Sequence, residues 1–210
     1  MWRRAHAATG LAGIVAVTVG LALPGTPPKT SDSVEKVTHT LLDNRSEFLA
    51  STYVLALGCL LLLLFMGALR VHLGRDDAFA GSAFGAGIAG VILLMAGAAI
   101  FDGLSFTAAG MHDGAVVRAF VDVGNALLAM AGLAFAGLLL AGGAAGPLPG
   151  WLRVLGYLGA AGLVVAGLSL VIDHGPFQAG GVLGLVLTVP TIVWIAAASV
   201  LMLLRVRSSG

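Results

Sequence analysis

Charged residues make up only 10% of this 210-residue chain, and it has a single cysteine. So little charge leaves no basic block, and no stacking series of aromatics accompanies it, which excludes a nucleic-acid partner. Cys59 stands alone inside an apolar run. That excludes an intramolecular disulfide and a cysteine-ligated metal, and a thiol so placed is expected to pack as a small apolar side chain. The chain lacks a phosphate-binding loop, a dinucleotide fingerprint, a G-x-S-x-G elbow and a C-x-x-C pair. No lysine lies within an apolar run, so a retinal Schiff base has no anchor, and no histidines pair at haem-ligand depth. No cofactor is expected. The halves show no repeat, so an inverted-repeat transporter has no support.

What the chain has is apolar length. Hydrophobic residues are 59% of it, and the mean hydropathy is +1.02. Six runs stand out: 5–23, 51–73, 78–101, 116–141, 151–172 and 180–204. Crossing a hydrocarbon core of about 30 Å takes about 20 apolar residues, and each run is near or above that. Backbone groups in lipid must be satisfied within the chain, so the spans are helices or a closed barrel. Leu60-Leu61-Leu62-Leu63-Leu64-Phe65-Met66 does not alternate as a barrel strand would. The expected fold is all-α, a polytopic bundle of six spans forming one membrane domain over 1–210.

Orientation follows from Lys and Arg, which favour the cytoplasmic side. With six spans both termini share a side. That side holds Arg3, Arg4, Arg70, Arg75, Arg153, Arg205 and Arg207; the other holds Lys29, Lys36, Arg45 and Arg118. Acidic residues split the opposite way, with only Asp76 and Asp77 on the arginine-rich side. Both termini are therefore expected in the cytoplasm, in the cytoplasmic membrane. Met1-Trp2-Arg3-Arg4 and the run after it also resemble a secretory signal, with Gly20-Leu21-Ala22 as a cleavage site. A signal core is typically about 7–15 residues, and this run is longer, so a retained first span is the reading adopted.

The outer loop 25–50 opens with Pro24-Gly25-Thr26-Pro27-Pro28, a helix stop. Asp32 with Glu35 resembles a capping box, and Val34, Val37 and Leu41 follow at helical spacing. A short amphipathic helix on the outer surface is expected, packed on the membrane surface or recognising an external partner. Gly74-Arg75-Asp76-Asp77 makes an antiparallel hairpin of spans two and three. Trp151, after the loop 142–150, suits the headgroup level. Gly81 and Gly85 form a small-xxx-small pair extended by Ala86 and Gly90, and Ala129, Gly132 and Ala136 give span four a second stripe. Such faces let helices approach closely. Packing within one chain is expected, with homo-oligomer formation as the alternative. Pro190 is expected to kink span six, with Thr188 or Thr191 re-satisfying the freed carbonyl of Val186.

Two groups of residues could carry chemistry. Arg118, Asp122 and Asn125 share one face of span four. A charge at membrane depth is costly and turns toward the bundle interior or water. The group is either a structural ion pair or a binding carboxylate for a proton, cation or solute. On the outer loops, Asp102, His112, Asp113, Asp173 and His174 could bind a divalent metal, with His39 nearby. The adjacent pairs lack the spacing of an established metal motif, and solvated loop residues are the alternative.

Several stretches together resemble a broad group of six-helix integral membrane proteins of actinobacteria, a domain of unknown function. They are Asp43-Asn44-Arg45 before the Leu-rich span, Leu69-Arg70 at its end, Val121-Asp122-Val123-Gly124-Asn125, Leu148-Pro149-Gly150-Trp151-Leu152 and Trp194. The resemblance covers most of the chain after Pro24, in pattern more than identity. It implies the architecture and brings no activity with it. The function expected is an accessory or binding component of the membrane, with no catalytic residue assigned. Partners are the lipid bilayer and a membrane protein or second copy. The alternatives are a small transporter or channel using Asp122 and Asn125 in an outward-facing cavity, and a membrane enzyme with an outer His/Asp metal site.

Overall fold

The computed structural model describes residues 2–25, 32–74, 77–107, 114–145, 148–172 and 182–208. Seven α-helices are found in them: α1 Trp2–Ala22, α2 Val34–Asp43, α3 Arg45–Leu73, α4 Ala78–Thr107, α5 Gly114–Ala144, α6 Gly150–Ala166 and α7 Val182–Ser208. A 3-10 turn, Gly167–Leu170, prolongs α6. Every helix but α2 is long and apolar enough to cross a membrane, α6 with its 3-10 turn included. The chain is an integral membrane protein with the architecture of a helical bundle. At 1.5 Å per residue the 31 residues of α5 reach about 46 Å, so its ends stand clear of the hydrocarbon.

Each spanning helix packs mainly on two others, and the contacts close a ring in the order α1, α3, α4, α5, α6, α7 and back to α1. Side chains from all six fill one apolar core, among them Ile14, Phe65, Met66, Val91, Leu138, Leu139, Leu163, Trp194 and Ile195. A second, smaller apolar cluster lies at the α2 end.

Glycines decide how closely the helices meet. The α1–α3 seam is the tightest. A Cβ on Gly58 would stand 2.7 Å from the Val17 backbone nitrogen, and one on Gly13 would stand 3.0 Å from the Gly58 carbonyl. Ser51 crosses the same seam, its hydroxyl donating to the Gly20 carbonyl at 2.6 Å. The expectation for Gly81 and Gly85 is overturned: among the described residues nothing lies within 4 Å of a Cβ at either, so this pair packs on no other described helix. Its neighbours do pack, Gly90 against the Phe135 ring and Ala86 against Gly137, because they lie on the side of α4 that faces α5.

Caps show the same local logic. The helix start expected at Asp32 falls one residue later. Ser33 is the N-cap of α2, its backbone extended and its side chain accepting from the Lys36 amide. Asp32 instead pairs with the Lys36 ammonium at 2.6 Å. At the opposite end, Asp77 Oδ1 accepts from the amides of Phe79 and Ala80 and starts α4. Gly74 supplies the turn before it with φ of +118°, a conformation costly for a residue with a Cβ.

α7 runs from Val182 to Ser208 with Pro190 inside it. Thr191 is buried, but among the described residues its hydroxyl has no hydrogen-bond partner, so it does not re-satisfy the carbonyl freed by the proline. Trp194, one turn on, is fully buried and donates its indole N–H to the Leu152 carbonyl at 3.0 Å. Gly142 and Gly156 make the slot for it: a Cβ on either would stand 3.0–3.1 Å from the indole.

Candidate functional site

The residues that could carry chemistry gather at the end of the bundle where α2 lies. There α3 begins, α4 ends and α5 begins. α2 is amphipathic because Val37 and Leu41 fall on one side. Both are buried against Phe48 of α3, Phe101 and Leu104 of α4, and Val117 and Val121 of α5. Glu35, Lys36, His39 and Asp43 stay exposed on the other side, and His39 Nδ1 lies 2.7 Å from an Asp43 carboxylate oxygen. The helix expected from the sequence therefore exists, and its apolar face packs on protein.

Arg118 holds this arrangement from α5. Its Nη1 donates to the Asp32 backbone carbonyl at 2.6 Å, and its Nε lies 3.6 Å from an Asp122 carboxylate oxygen. The i, i+4 relation expected of Arg118 and Asp122 is present, yet the pair is not buried: the side chains are 35% and 49% exposed. Asp122 stands eight residues into α5, about 12 Å along its axis, near the depth where hydrocarbon gives way to headgroups. Exposed pairs of this kind are worth about 0–1 kcal/mol, well short of a buried pair. Asn125, three residues on, is only 5% exposed. The face shared in sequence is thus divided in space, with the carboxylate outward and the amide inward.

Of the five candidate metal ligands, His112, Asp113, Asp173 and His174 lie outside the described residues. Asp102 is described, near the end of α4. Thr52 of α3 hydrogen-bonds its carboxyl group, and its Oδ1 is sealed from solvent without a hydrogen-bond partner among the described residues. The described residues hold no group of three or more His, Cys, Asp or Glu that could bind a metal.

One cation–ring contact stands at each end of the α3–α4 pair. The Arg45 guanidinium sits 4.9 Å from the centre of the Phe106 ring, joining the start of α3 to the end of α4. A cation over a ring face at this distance is attractive. At the opposite end Arg70 lies over Phe84 at 5.2 Å. Residues 45 and 106, or 70 and 84, carry no mutual signal in the sequence; only the antiparallel packing of α3 on α4 brings them together. The Arg118 bond to Asp32 was equally hidden, because a backbone acceptor can be any residue.

What the end can do follows from its parts. It offers a charged helix face, an exposed carboxylate–guanidinium pair beside it, and one sheltered carboxyl oxygen beneath. Among the described residues it shows no nucleophile held by a base. No family model, curated protein or solved structure matches the chain.

Proposed function

We propose that the protein is a binding or accessory component of the cytoplasmic membrane, with both termini in the cytoplasm and its partner met at the α2 end. One observation carries this reading: the ring of helices is filled by a continuous apolar core, and α2 covers a second apolar cluster at one end. The Arg118–Asp122 pair within α5 is partly exposed, at 35% and 49%. The charged side of α2 is left free of the bundle for an external surface. The seven-to-four split of Lys and Arg supports the orientation.

Transport is the second reading, because Asp122 and the buried Asn125 stand one turn apart near the rim. The purified protein, reconstituted in liposomes, separates the two. A binding component passes neither protons nor monovalent cations above protein-free vesicles, and Asp122→Asn leaves that baseline unchanged. Flux that Asp122→Asn abolishes would overturn the binding reading in favour of transport. The metal-enzyme reading makes its own demand, tight binding of zinc that Asp102→Asn weakens.

A further inference from the structure

At the arginine-rich end of the bundle α1 begins and α3 and α7 end. In the ring α1 stands between α3 and α7. The three meet inside the bundle at Gly10 of α1, where a Cβ would run into Ser199 of α7 and the Phe65 ring of α3. Toward the end of the bundle, Arg3 lies seven residues from that level on α1, His72 seven on α3 and Arg205 six on α7. At 1.5 Å per residue each is about 9–10 Å on, so three helices bring a basic residue to one level. The apolar spans of α3 and α7 end at Leu73 and Arg205, which sets that level where hydrocarbon gives way to headgroups.

Here the ends of α3 and α7 touch past α1: Arg205 Nη1 lies 3.3 Å from His72 Nε2. The contact joins two bases. With a neutral imidazole, Nε2 accepts from the guanidinium and Nδ1 carries the hydrogen, so the pair still offers that N–H and the rest of the arginine fork. With a charged imidazole, two cations face each other, and an anion set against both relieves the repulsion. In either form the group that fits the pair is an oxyanion. The helices concerned bring no carboxylate of their own to this level, for α1 and α7 contain no Asp or Glu and the Glu47 of α3 stands at its other end. Of the two aspartates assigned to this side, Asp77 gives Oδ1 to the amides of Phe79 and Ala80. Arg70, the other arginine near the end of α3, is turned away onto the Phe84 ring of α4.

We propose that the junction of α1, α3 and α7 is a phosphate-binding site, with Arg205 supplying a two-pronged fork and His72 the second donor. A guanidinium fork matches two phosphate oxygens at once. A membrane surface holds phosphate in quantity, and basic sites between spanning helices take anionic headgroups. The ligand chemistry is a phosphate group with net negative charge, borne by a phospholipid or free in solution. The site is independent of the reading given to the α2 end.

The test uses the full-length protein in a neutral detergent, with phosphatidylglycerol and phosphatidylcholine added in equal amounts and the retained lipid counted by native mass spectrometry. One phosphatidylglycerol should be kept about tenfold better than phosphatidylcholine, the factor that one charge-assisted hydrogen bond carries. Arg205→Gln should remove most of that preference and His72→Phe part of it, while Arg70→Gln leaves it intact. Equilibrium dialysis with radiolabelled inorganic phosphate separates the sources. A lipid preference that inorganic phosphate does not displace assigns the site to a headgroup; binding of inorganic phosphate that Arg205→Gln abolishes assigns it to the soluble anion. A parent protein that keeps both lipids equally and binds no inorganic phosphate overturns the proposal, whether or not the variants fold. So does a preference that Arg70→Gln lowers as much as Arg205→Gln, which would mark a general attraction of the basic end.

Discussion

Gly10→Ala should destabilise the protein more than alanine at almost any other glycine. The added methyl would overlap the Ser199 hydroxyl and the Phe65 ring, standing 2.7 Å from Phe65 Cγ. Neither neighbour can step aside. Phe65 and Ser199 are both fully buried, and the serine hydroxyl is committed to the Ile195 carbonyl at 2.8 Å. Three helices, α1, α3 and α7, meet at this point, so relief for one means displacing another. Overpacking a dense interior costs about 1–3 kcal/mol and sometimes more. Gly85→Ala is the matched control. Among the described residues nothing lies within 4 Å of a Cβ there, and exchanging a helical glycine for alanine on an open face favours the helix by up to about 1 kcal/mol. Thermal unfolding in detergent should therefore show a lowered midpoint for Gly10→Ala and an unchanged or raised one for Gly85→Ala. Equal behaviour would mean that α1 does not close the ring, as would follow if the first run were removed as a secretory signal.

Trp194→Ala should cost about 3–5 kcal/mol, the range for emptying a buried aromatic site. The indole is the largest fully buried side chain among the described residues, and its slot is shaped by two glycines on different helices, Gly142 of α5 and Gly156 of α6. Removing it leaves a void where three helices meet and deletes the bond to the Leu152 carbonyl. Trp194→Phe keeps most of the volume and loses only that bond, so its loss should be near 1 kcal/mol. Gly156→Leu attacks the same slot from the other side. It should match Trp194→Ala in severity, since its Cβ alone would stand 3.0 Å from the indole nitrogen. Chemical or thermal unfolding followed by circular dichroism ranks the three. A Trp194→Ala protein as stable as the parent would contradict the packing of α5, α6 and α7.

How much of this was legible in the sequence depends on what lipid hides. The six spans were, because a run of about 20 apolar residues has no other common use at this composition. α2 was too, since Val34, Val37 and Leu41 keep helical spacing amid charges. Its cap moved from Asp32 to Ser33 because both residues can accept from the first turn, and only geometry selects one. The order of the ring was not legible. In water the apolar face of a helix marks its inside, but here the bilayer and the core are equally apolar, so a Gly- and Ala-rich helix carries no mark of which side meets protein. Gly81 and Gly85 match a packing motif and have nothing within 4 Å of a Cβ among the described residues, while Gly10, Gly13 and Gly58, which form tight seams, belong to no such motif. Arg118, Asp122 and Asn125 lie on one helix, α5, as their spacing suggests, but Arg118 and Asp122 are partly exposed. That the arginine also ties down α2 depended on the Asp32 carbonyl, 86 residues away.

The central claim is that the α2 end and the end bearing the termini lie on opposite sides of one membrane. Labelling of substituted cysteines in whole cells tests it most directly. Lys36→Cys on α2, Asp77→Cys at the start of α4 and Arg205→Cys near the end of α7 each supply one site, with the native Cys59 buried and silent. A membrane-impermeant maleimide should label Lys36→Cys in intact cells, and Asp77→Cys and Arg205→Cys only after permeabilisation. Labelling of Lys36→Cys and Arg205→Cys under the same condition would contradict the six-span bundle.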